Sequence, residues 1–242
     1  AARIAADRRQ QLIAELRAVY VHHGLEREAD AWEEHCRREC EKRGVIFEAV
    51  RVRVQRSGDG IEAAARDVRY RALAQYALKS GCSIIMTAHH EDDRIETFLL
   101  QWMRGAGLEG LAAFPEVREL AAPSMEDAKA VQARKQVFLL RPWSGVLRRD
   151  IERYVKNRRI PYVDDPSNNS PKYDRNRVRS EIIPRLEAIR PGFSASAARS
   201  VGLIGEALEV LKSVARADLE ACRSETMPHG LSVYRLLELI PA

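Results

Sequence analysis

The fold is decided by the stretch Thr87-Ala88-His89-His90-Glu91-Asp92-Asp93-Arg94-Ile95-Glu96-Thr97. Residues 82–86, just before it, form a short apolar run with the length and composition of a buried strand. After it, apolar residues recur at helical spacing over 98–103. Two histidines therefore leave the carboxyl end of a strand, and acids enter the first turns of the next helix. Because ligands of open α/β sheets bind outside the carboxyl ends of the strands, this stretch is also the first candidate for a functional site.

The chemistry of this stretch is that of imidazole next to carboxylates. Asp93 and Glu96 are three residues apart, which places them on one face of a helix. Such groups suit acid–base catalysis, metal binding or the holding of a cationic substrate. Helix capping is the simpler alternative, because acids in a first turn are favoured by the helix dipole. Two histidines and four acids within eight positions favour function. No metal site is predicted, because the only later histidine is His229.

Strand-like and helix-like segments alternate along the chain, which predicts an α/β fold with a doubly wound, mostly parallel sheet. The predicted strands are 17–21, 45–54, 83–88 and 137–140, and the predicted helices are 28–43, 62–79, 94–104 and 144–157. Residues 116–136 are polar and aperiodic and are interpreted as a mobile surface excursion. A long amphipathic helix over 194–223 predicts a small all-helical domain, with a domain boundary between 1–188 and 189–242.

The positive charge of the chain is concentrated in one segment. The 242 residues carry a formal charge of +5, and residues 141–190 hold 13 of the 40 basic side chains but only 7 of the 35 acidic ones. Such clustering predicts a polyanionic partner, most commonly nucleic acid. A solvated basic face is the alternative.

The apolar runs and the cysteines indicate a cytoplasmic protein. No apolar run approaches the roughly 18 residues of a membrane span, and no secretory signal pattern is present. The four cysteines are scattered, and Cys36 and Cys40 have no second pair with which to form a zinc site. They are interpreted as buried thiols.

The motifs resemble those of a known family. Thr87-Ala88-His89-His90, Asp93 and Glu96-Thr97, followed by Arg104-Gly105-Ala106-Gly107-Leu108, are similar to the signature of tRNA(Ile)-lysidine synthetases, which are PP-loop ATP pyrophosphatases. Three further segments agree in order: 21–25, 62–70, and 164–168 with 174–179. The Ser-Gly-Gly-x-Asp-Ser phosphate loop of the family does not occur. The chain is therefore expected to lack the first strand and phosphate loop, and to hold an incomplete helical tRNA-contacting domain.

The resemblance implies a ligase that uses ATP and Mg²⁺. It implies adenylation of the C2 carbonyl oxygen of the wobble cytidine in tRNA(Ile) with a CAU anticodon, followed by attack of free L-lysine to give lysidine. The implied catalytic residues are His89, His90, Asp93 and Glu96. The implied substrate- and nucleotide-binding residues are His22, Arg66, Arg69, Arg104, Arg175 and Arg177.

The implied roles follow the charges. Arg175, Arg177 or Arg66 would stabilise charge on phosphate. Asp93 and Glu96 would hold or deprotonate lysine, and His89 or His90 would position the cytosine or the adenylated intermediate.

Two other functions are open. The first is another PP-loop tRNA-modifying enzyme of the thiolase type, although Cys36 and Cys40 are too few and on the wrong element for sulfur chemistry. The second is a non-catalytic RNA-binding module, against which the four clustered acids argue because binding of a polyanion has no use for them. The resemblance leaves a homodimer open and implies no membrane partner.

Overall fold

A computed structural model describes residues 15–24, 28–54, 61–120, 136–165, 168, 170–171, 173–224, 230–233 and 235, with side chains at 61–63 left aside. Residues 1–17, whose alanines and arginines predict the tail of a helix, lie mostly outside these residues. So does the 121–135 part of the predicted excursion.

The described elements follow the predicted alternation of strand and helix. The strands are β1 (Arg17–His22), β2 (Ile46–Arg51), β3 (Ile84–Met86), β4 (Val117–Leu120) and β5 (Val137–Leu140). The helices are α1 (Ala29–Glu41), α2 (Ile61–Ser80), α3 (Glu91–Met103), α4 (Leu108–Leu111), α5 (Arg148–Asn157), α6 (Asp174–Arg177), α7 (Ile183–Ile189) and α8 (Phe193–Ala221). A π-helical turn, Val178–Ile182, joins α6 to α7.

The strands form two described sheets, and the pairing is mostly parallel. β1 pairs with β2 in parallel, and β3 pairs with β5 in parallel. β4 lies antiparallel on the other side of β5. The predicted α/β class with a mostly parallel sheet is confirmed.

Two predicted boundaries and one predicted loop are wrong. α3 begins at Glu91 rather than 94, because His90 caps it. α5 begins at Arg148 rather than 144, because the residues before it form turns that include a hydrogen bond from the Val146 amide to the Trp143 carbonyl. The polar excursion begins with β4, which is too short to show a period and depends on its distant partner β5 for its conformation.

The chain divides into two compact units. The first comprises residues 1–87, 117–140 and 160–165, and the second comprises 88–116, 141–159 and 166–242. The predicted division at 188/189 stays a prediction.

In the first unit α2 packs on the strands through small side chains. Ala74 and Ala77 are buried and let the helix approach the sheet closely. They share a core with Tyr70, Ile85, Leu120, Val137 and Leu139. This core fixes the face of α2 that carries Tyr70 against the three-stranded sheet.

In the second unit α3, the π turn and α8 share a core. Ile95 and Leu99 of α3 pack with Val178 and Ala197, all of them buried. The four-residue spacing of Ile95 and Leu99 puts them on one side of α3. None of the described helices is long and apolar enough to cross a membrane.

Candidate functional site

The start of α3 is fixed by a reciprocal cap. The His90 side chain accepts a hydrogen bond from the Asp93 amide at 3.3 Å, and the Asp93 carboxylate accepts one from the His90 amide at 2.9 Å. Asp92 adds a bond of 2.7 Å from the Arg148 amide at the start of α5. The acids predicted at the end of a strand therefore do cap the helix, and the same side chains are available for further contacts.

Asp93 and Glu96 meet two arginines in what we call the acid–arginine cluster, made of Asp93, Glu96, Arg175 and Arg179. Arg175 donates from Nε to Glu96 at 2.6 Å and from Nη2 to Asp93 at 2.9 Å. Arg179 donates to the same Glu96 carboxylate from Nε at 2.6 Å and from Nη2 at 3.0 Å. The predicted sharing of one helical face by Asp93 and Glu96 is what lets Arg175 bridge them.

Burial differs within this cluster. The Glu96 side chain is 0 % exposed, whereas Arg175 retains 32 % and Asp93 15 %. The hydrogen bonds that Arg179 donates to Glu96 raise the pKa of its guanidinium. A fully buried carboxylate is tolerated here because both of its oxygens are paired with cations.

His89 packs against an aromatic ring. Its imidazole meets the Phe114 ring edge-on, with ring centroids 5.3 Å apart. The guanidinium of Arg141 lies 4.7 Å from the centre of the same ring and donates to the Pro115 carbonyl at 2.6 Å. Arg141 is 1 % exposed, so it is a structural support of the His89 position that the sequence did not reveal.

Glu91 is the first residue of α3. Burial first, and then the neighbouring Asp92 charge, raise the pKa of the half-buried Glu91 carboxyl. Its backbone amide donates to the Val146 carbonyl at 2.9 Å. The first turn of α3 thus holds a carboxyl group whose proton is retained to higher pH than usual.

Arg104 and Arg177 line one cavity of about 260 Å³ in the second unit. Its apolar lining comes from Leu100, Met103, Val178 and Ile182, and its acidic lining from Asp174 and Glu181. Arg104 is exposed at the end of α3. The two arginines predicted as binding residues therefore face a common space with an apolar floor.

In the first unit, His22 at the end of β1 is buried beside acids of α1. Its Nε2 lies 3.1 Å from Asp30, and its Nδ1 accepts a hydrogen bond of 3.1 Å from the Gly24 amide. An Nδ1 that accepts requires that Nε2 carry the proton in neutral imidazole. His22, Asp30 and Glu33 have the spacing of a metal site. However, Nε2 is then a donor, and Arg51 already contacts both carboxylates, so these residues do not fit a metal ion.

Arg66 and Arg69 lie beside the ring of Tyr70 on α2. Their guanidinium carbons are 5.2 and 5.5 Å from the ring centre, and that of Arg118 on β4 is 5.6 Å from it. We call Arg66, Arg69 and Arg118 the Tyr70 arginines. Sequence reasoning missed Arg118 because it lies in the stretch interpreted as a surface excursion.

The predicted site residues thus fall into separate groups. His90, Asp93, Glu96 and Arg175 are brought together, as are Arg104 with Arg177, and Arg66 with Arg69. His22 and His89 each have partners of their own. Arg179 was missed as a site residue, and its four-residue spacing from Arg175 was the signal that pointed to it.

The described cysteines do not support sulfur chemistry. All four are free, and burial raises the pKa of both the Cys36 and the Cys40 thiol on α1. Thiols that stay protonated are poor nucleophiles and poor metal ligands. Within the described ranges, no group of residues with metal-ligand spacing includes a cysteine.

Comparisons with known proteins agree with the sequence motifs. A family profile described as a PP-loop domain matches residues 2–186. The tRNA(Ile)-lysidine synthase of Pseudomonas syringae pv. tomato is 41% identical over 211 residues, covering 87% of this chain and 44% of that protein. That of Chromobacterium violaceum is 42% identical, covering 93% of this chain and 47% of its own length. The chain spans less than half the length of these relatives. The predicted resemblance is confirmed.

A solved structure shows the same fold. The U34-tRNA thiolase NcsA from Methanococcus maripaludis, with its [4Fe-4S] cluster, superposes with a TM-score of 0.60 over 79% of this chain and 63% of its own. At 16% sequence identity, this likeness concerns the fold alone.

Proposed function

The chain belongs to the PP-loop domain family, and on that premise we propose that it is the catalytic part of a tRNA(Ile)-lysidine synthetase. The wobble cytidine of a CAU anticodon is adenylated by ATP at its C2 carbonyl oxygen, and the ε-amine of free L-lysine then displaces AMP. The observation that carries this proposal is the identity of 41–42% to lysidine synthases over 84–93% of the chain.

Glu96 acts in this proposal through its arginines. Its side chain is 0 % exposed and both oxygens are engaged by Arg175 and Arg179, so an incoming substrate does not reach it. Its role is to hold the two guanidinium groups in place. A fixed planar cation is suited to stabilise negative charge that develops on a phosphoryl group.

Asp93 is the acid of the cluster that contacts lysine in this proposal. It keeps 15 % exposure, and each of its oxygens accepts one strong bond, from Arg175 or from the His90 amide. A carboxylate oxygen has two acceptor sites, so Asp93 has capacity left for an ammonium group. His89 and His90, which immediately precede α3, position the cytosine.

RNA contacts fall to the basic part of the second unit. Arg104 and Arg177 line a cavity with an apolar floor, which suits a flipped base flanked by phosphates. ATP as the energy source follows from the family. The proposal includes Mg²⁺, free lysine as the nucleophile, a homodimer and a cytoplasmic location. The described residues include no group suited to coordinate Mg²⁺, so the role that we assign to Mg²⁺ is limited to neutralising the ATP phosphates.

The direct test is lysine transfer. The full-length protein is incubated with ATP, radiolabelled lysine and an unmodified tRNA(Ile) transcript with a CAU anticodon. We expect ATP-dependent incorporation that disappears when the wobble cytidine is replaced by uridine. AMP–tRNA formation without label would keep the adenylation and exclude lysine as nucleophile. Tight RNA binding with neither product would favour the non-catalytic RNA-binding module.

The sharper test of the site is Asp93→Asn. We expect incorporation to fall by at least about 100-fold, because the ammonium loses its only reachable acid in the cluster, while RNA affinity stays within twofold. Glu34→Gln on α1 is the matched control, since Glu34 is a surface acid that is 57 % exposed. Wild-type incorporation by Asp93→Asn would refute the assignment.

A further inference from the structure

We propose that Arg118 joins Arg66 and Arg69 in one anion-binding site around Tyr70, and that the ligand of this site is a phosphate group. Of these three arginines, the resemblance implied binding roles only for Arg66 and Arg69 of α2. The third cation comes from a different element, β4, and no motif points to it.

The three side chains converge because of where they lie on α2 and β4. Arg66, Arg69 and Tyr70 occupy positions i, i+3 and i+4, and hence one face of α2. Arg118 shares its face of β4 with Leu120, since side chains alternate along a strand. Leu120 belongs to the same buried core as Tyr70. Both elements therefore present their arginines to one aromatic ring.

The location within the sheet is that of a ligand site. Arg118 lies opposite Leu139 of β5, one residue before the carboxyl end of that strand. Leu139 in turn is aligned with Ile85 of the parallel strand β3. The Tyr70 arginines therefore stand at the carboxyl ends of the parallel strands, where open α/β sheets bind their ligands.

The charge of the group is unbalanced within the described residues. None of the three guanidinium groups forms an ion pair with a described carboxylate, whereas Arg37 and Arg51 of the same unit each contact an acid at 3.0 Å. Glu119 follows Arg118 and points to the opposite face of β4. Like charges that converge without a counter-charge repel one another, and a bound anion removes that cost.

Two buried polar atoms near these arginines add to the case. The Tyr70 hydroxyl has no hydrogen-bond partner in the described structure, and neither does Nδ1 of His23, which follows the carboxyl end of β1. Arg69 is close enough to His23 to contribute to lowering its pKa. Buried polar atoms without partners are uncommon and mark places where a ligand or water completes the bonding.

Guanidinium groups recognise phosphate oxygens in a planar, two-bond geometry, which sets the ligand class. The phosphate is carried either by ATP or by the RNA backbone. The choice of these two probes rests on the proposed function. Binding is measured without turnover, so failure of lysidine formation and failure of this site are separate results.

The experiment compares Arg118→Ala with Arg53→Ala. Arg53 is an exposed arginine after β2 in the same unit and contacts none of the described acids or rings, so its loss removes the same charge elsewhere. The affinities for radiolabelled ATP and for the unmodified tRNA(Ile) transcript are measured between 50 and 200 mM salt. Arg118→Lys, which keeps the charge but loses the fork geometry, is measured alongside.

We expect Arg118→Ala to weaken one probe by about 10-fold. If the phosphate belongs to RNA, the slope of log affinity against log salt falls by about one and ATP binding is unchanged. If it belongs to ATP, ATP affinity falls alone. Either result supports the site and identifies its source. The proposed site would be overturned if Arg118→Ala bound both probes with the same affinities as Arg53→Ala. Because Arg118 is exposed, we expect its substitution to leave the fold intact.

Discussion

The acid–arginine cluster and the Tyr70 arginines use the same side chain in opposite ways. In the first, two guanidinium groups are matched by two carboxylates at 2.6–3.0 Å, and one of those carboxylates is completely buried. In the second, three guanidinium groups surround one tyrosine ring and pair with no described acid.

The difference separates positioning from binding. A charge whose partners are supplied by the protein is held in one geometry, and removing a partner is costly. Removing a charge that has no partner in the protein costs little stability. Such a charge contributes most to the binding of a ligand of opposite charge. Stability should therefore report on the first group, and ligand affinity on the second.

The largest expected effect comes from breaking the buried pairs. Glu96→Gln removes the carboxylate that pairs with both Arg175 and Arg179 and leaves Arg175 with Asp93 alone, and we expect it to lower the free energy of unfolding by about 3 kcal/mol, measured by urea denaturation.

The matched control for that loss is Glu152→Gln. Glu152 accepts from Arg148 at 2.7 Å, a distance like those in the cluster, but it is 61 % exposed, and we expect a loss below about 0.5 kcal/mol. Equal losses in the two variants would contradict the distinction between buried and exposed pairs.

A second effect is the dependence of stability on pH through His23 of the first unit. Burial, then Arg69, lower the pKa of His23 below its usual 6.5. The unfolded chain therefore binds a proton at this histidine more readily than the folded protein does. The contribution of His23 to the free energy of unfolding is complete above pH 6.5 and is lost as the pH falls toward the pKa of the folded state. The slope is at most about 1.4 kcal/mol per pH unit.

This pH effect is isolated by comparing the protein with His23→Gln. Urea midpoints at pH 7.5, 6.5 and 5.5 should fall less steeply in the variant. Parallel curves would mean that His23 is not desolvated in the folded protein.

The smallest effect expected is that of Tyr70→Phe. The hydroxyl makes no described hydrogen bond, so its removal relieves a desolvation cost, and we expect unchanged stability or a gain of up to about 1 kcal/mol. Thermal unfolding measures this directly. A clear loss of stability would show that the hydroxyl has a bonded partner, and would weaken the contrast drawn above.

What the sequence predicted is mainly local. The strand before His89, the helix after it and the shared face of Asp93 and Glu96 all follow from spacing, and the structure has them. The cap by His90 was weighed as an alternative to function, whereas Asp93 both caps the helix and binds Arg175.

What the sequence did not predict depends on distant partners. Arg179 reaches Glu96 across 83 residues of chain, and Arg118 reaches Tyr70 only because β4 pairs with β5. Neither pairing leaves a local period. The apolar spacing that identifies a helix carries no information about which charged groups its neighbours bring.

The π turn has a consequence for how this segment can change in evolution. Val178–Ile182 inserts a wider turn between α6, which carries Arg175, and α7, whose Ile183 and Leu186 pack against the core. Each residue of an α-helix turns the chain by about 100°. The same five residues wound as a regular α-helix would turn further and rotate the packing face of α7 away from the arginine face. A change that straightens this turn without removing a residue would therefore separate the two faces.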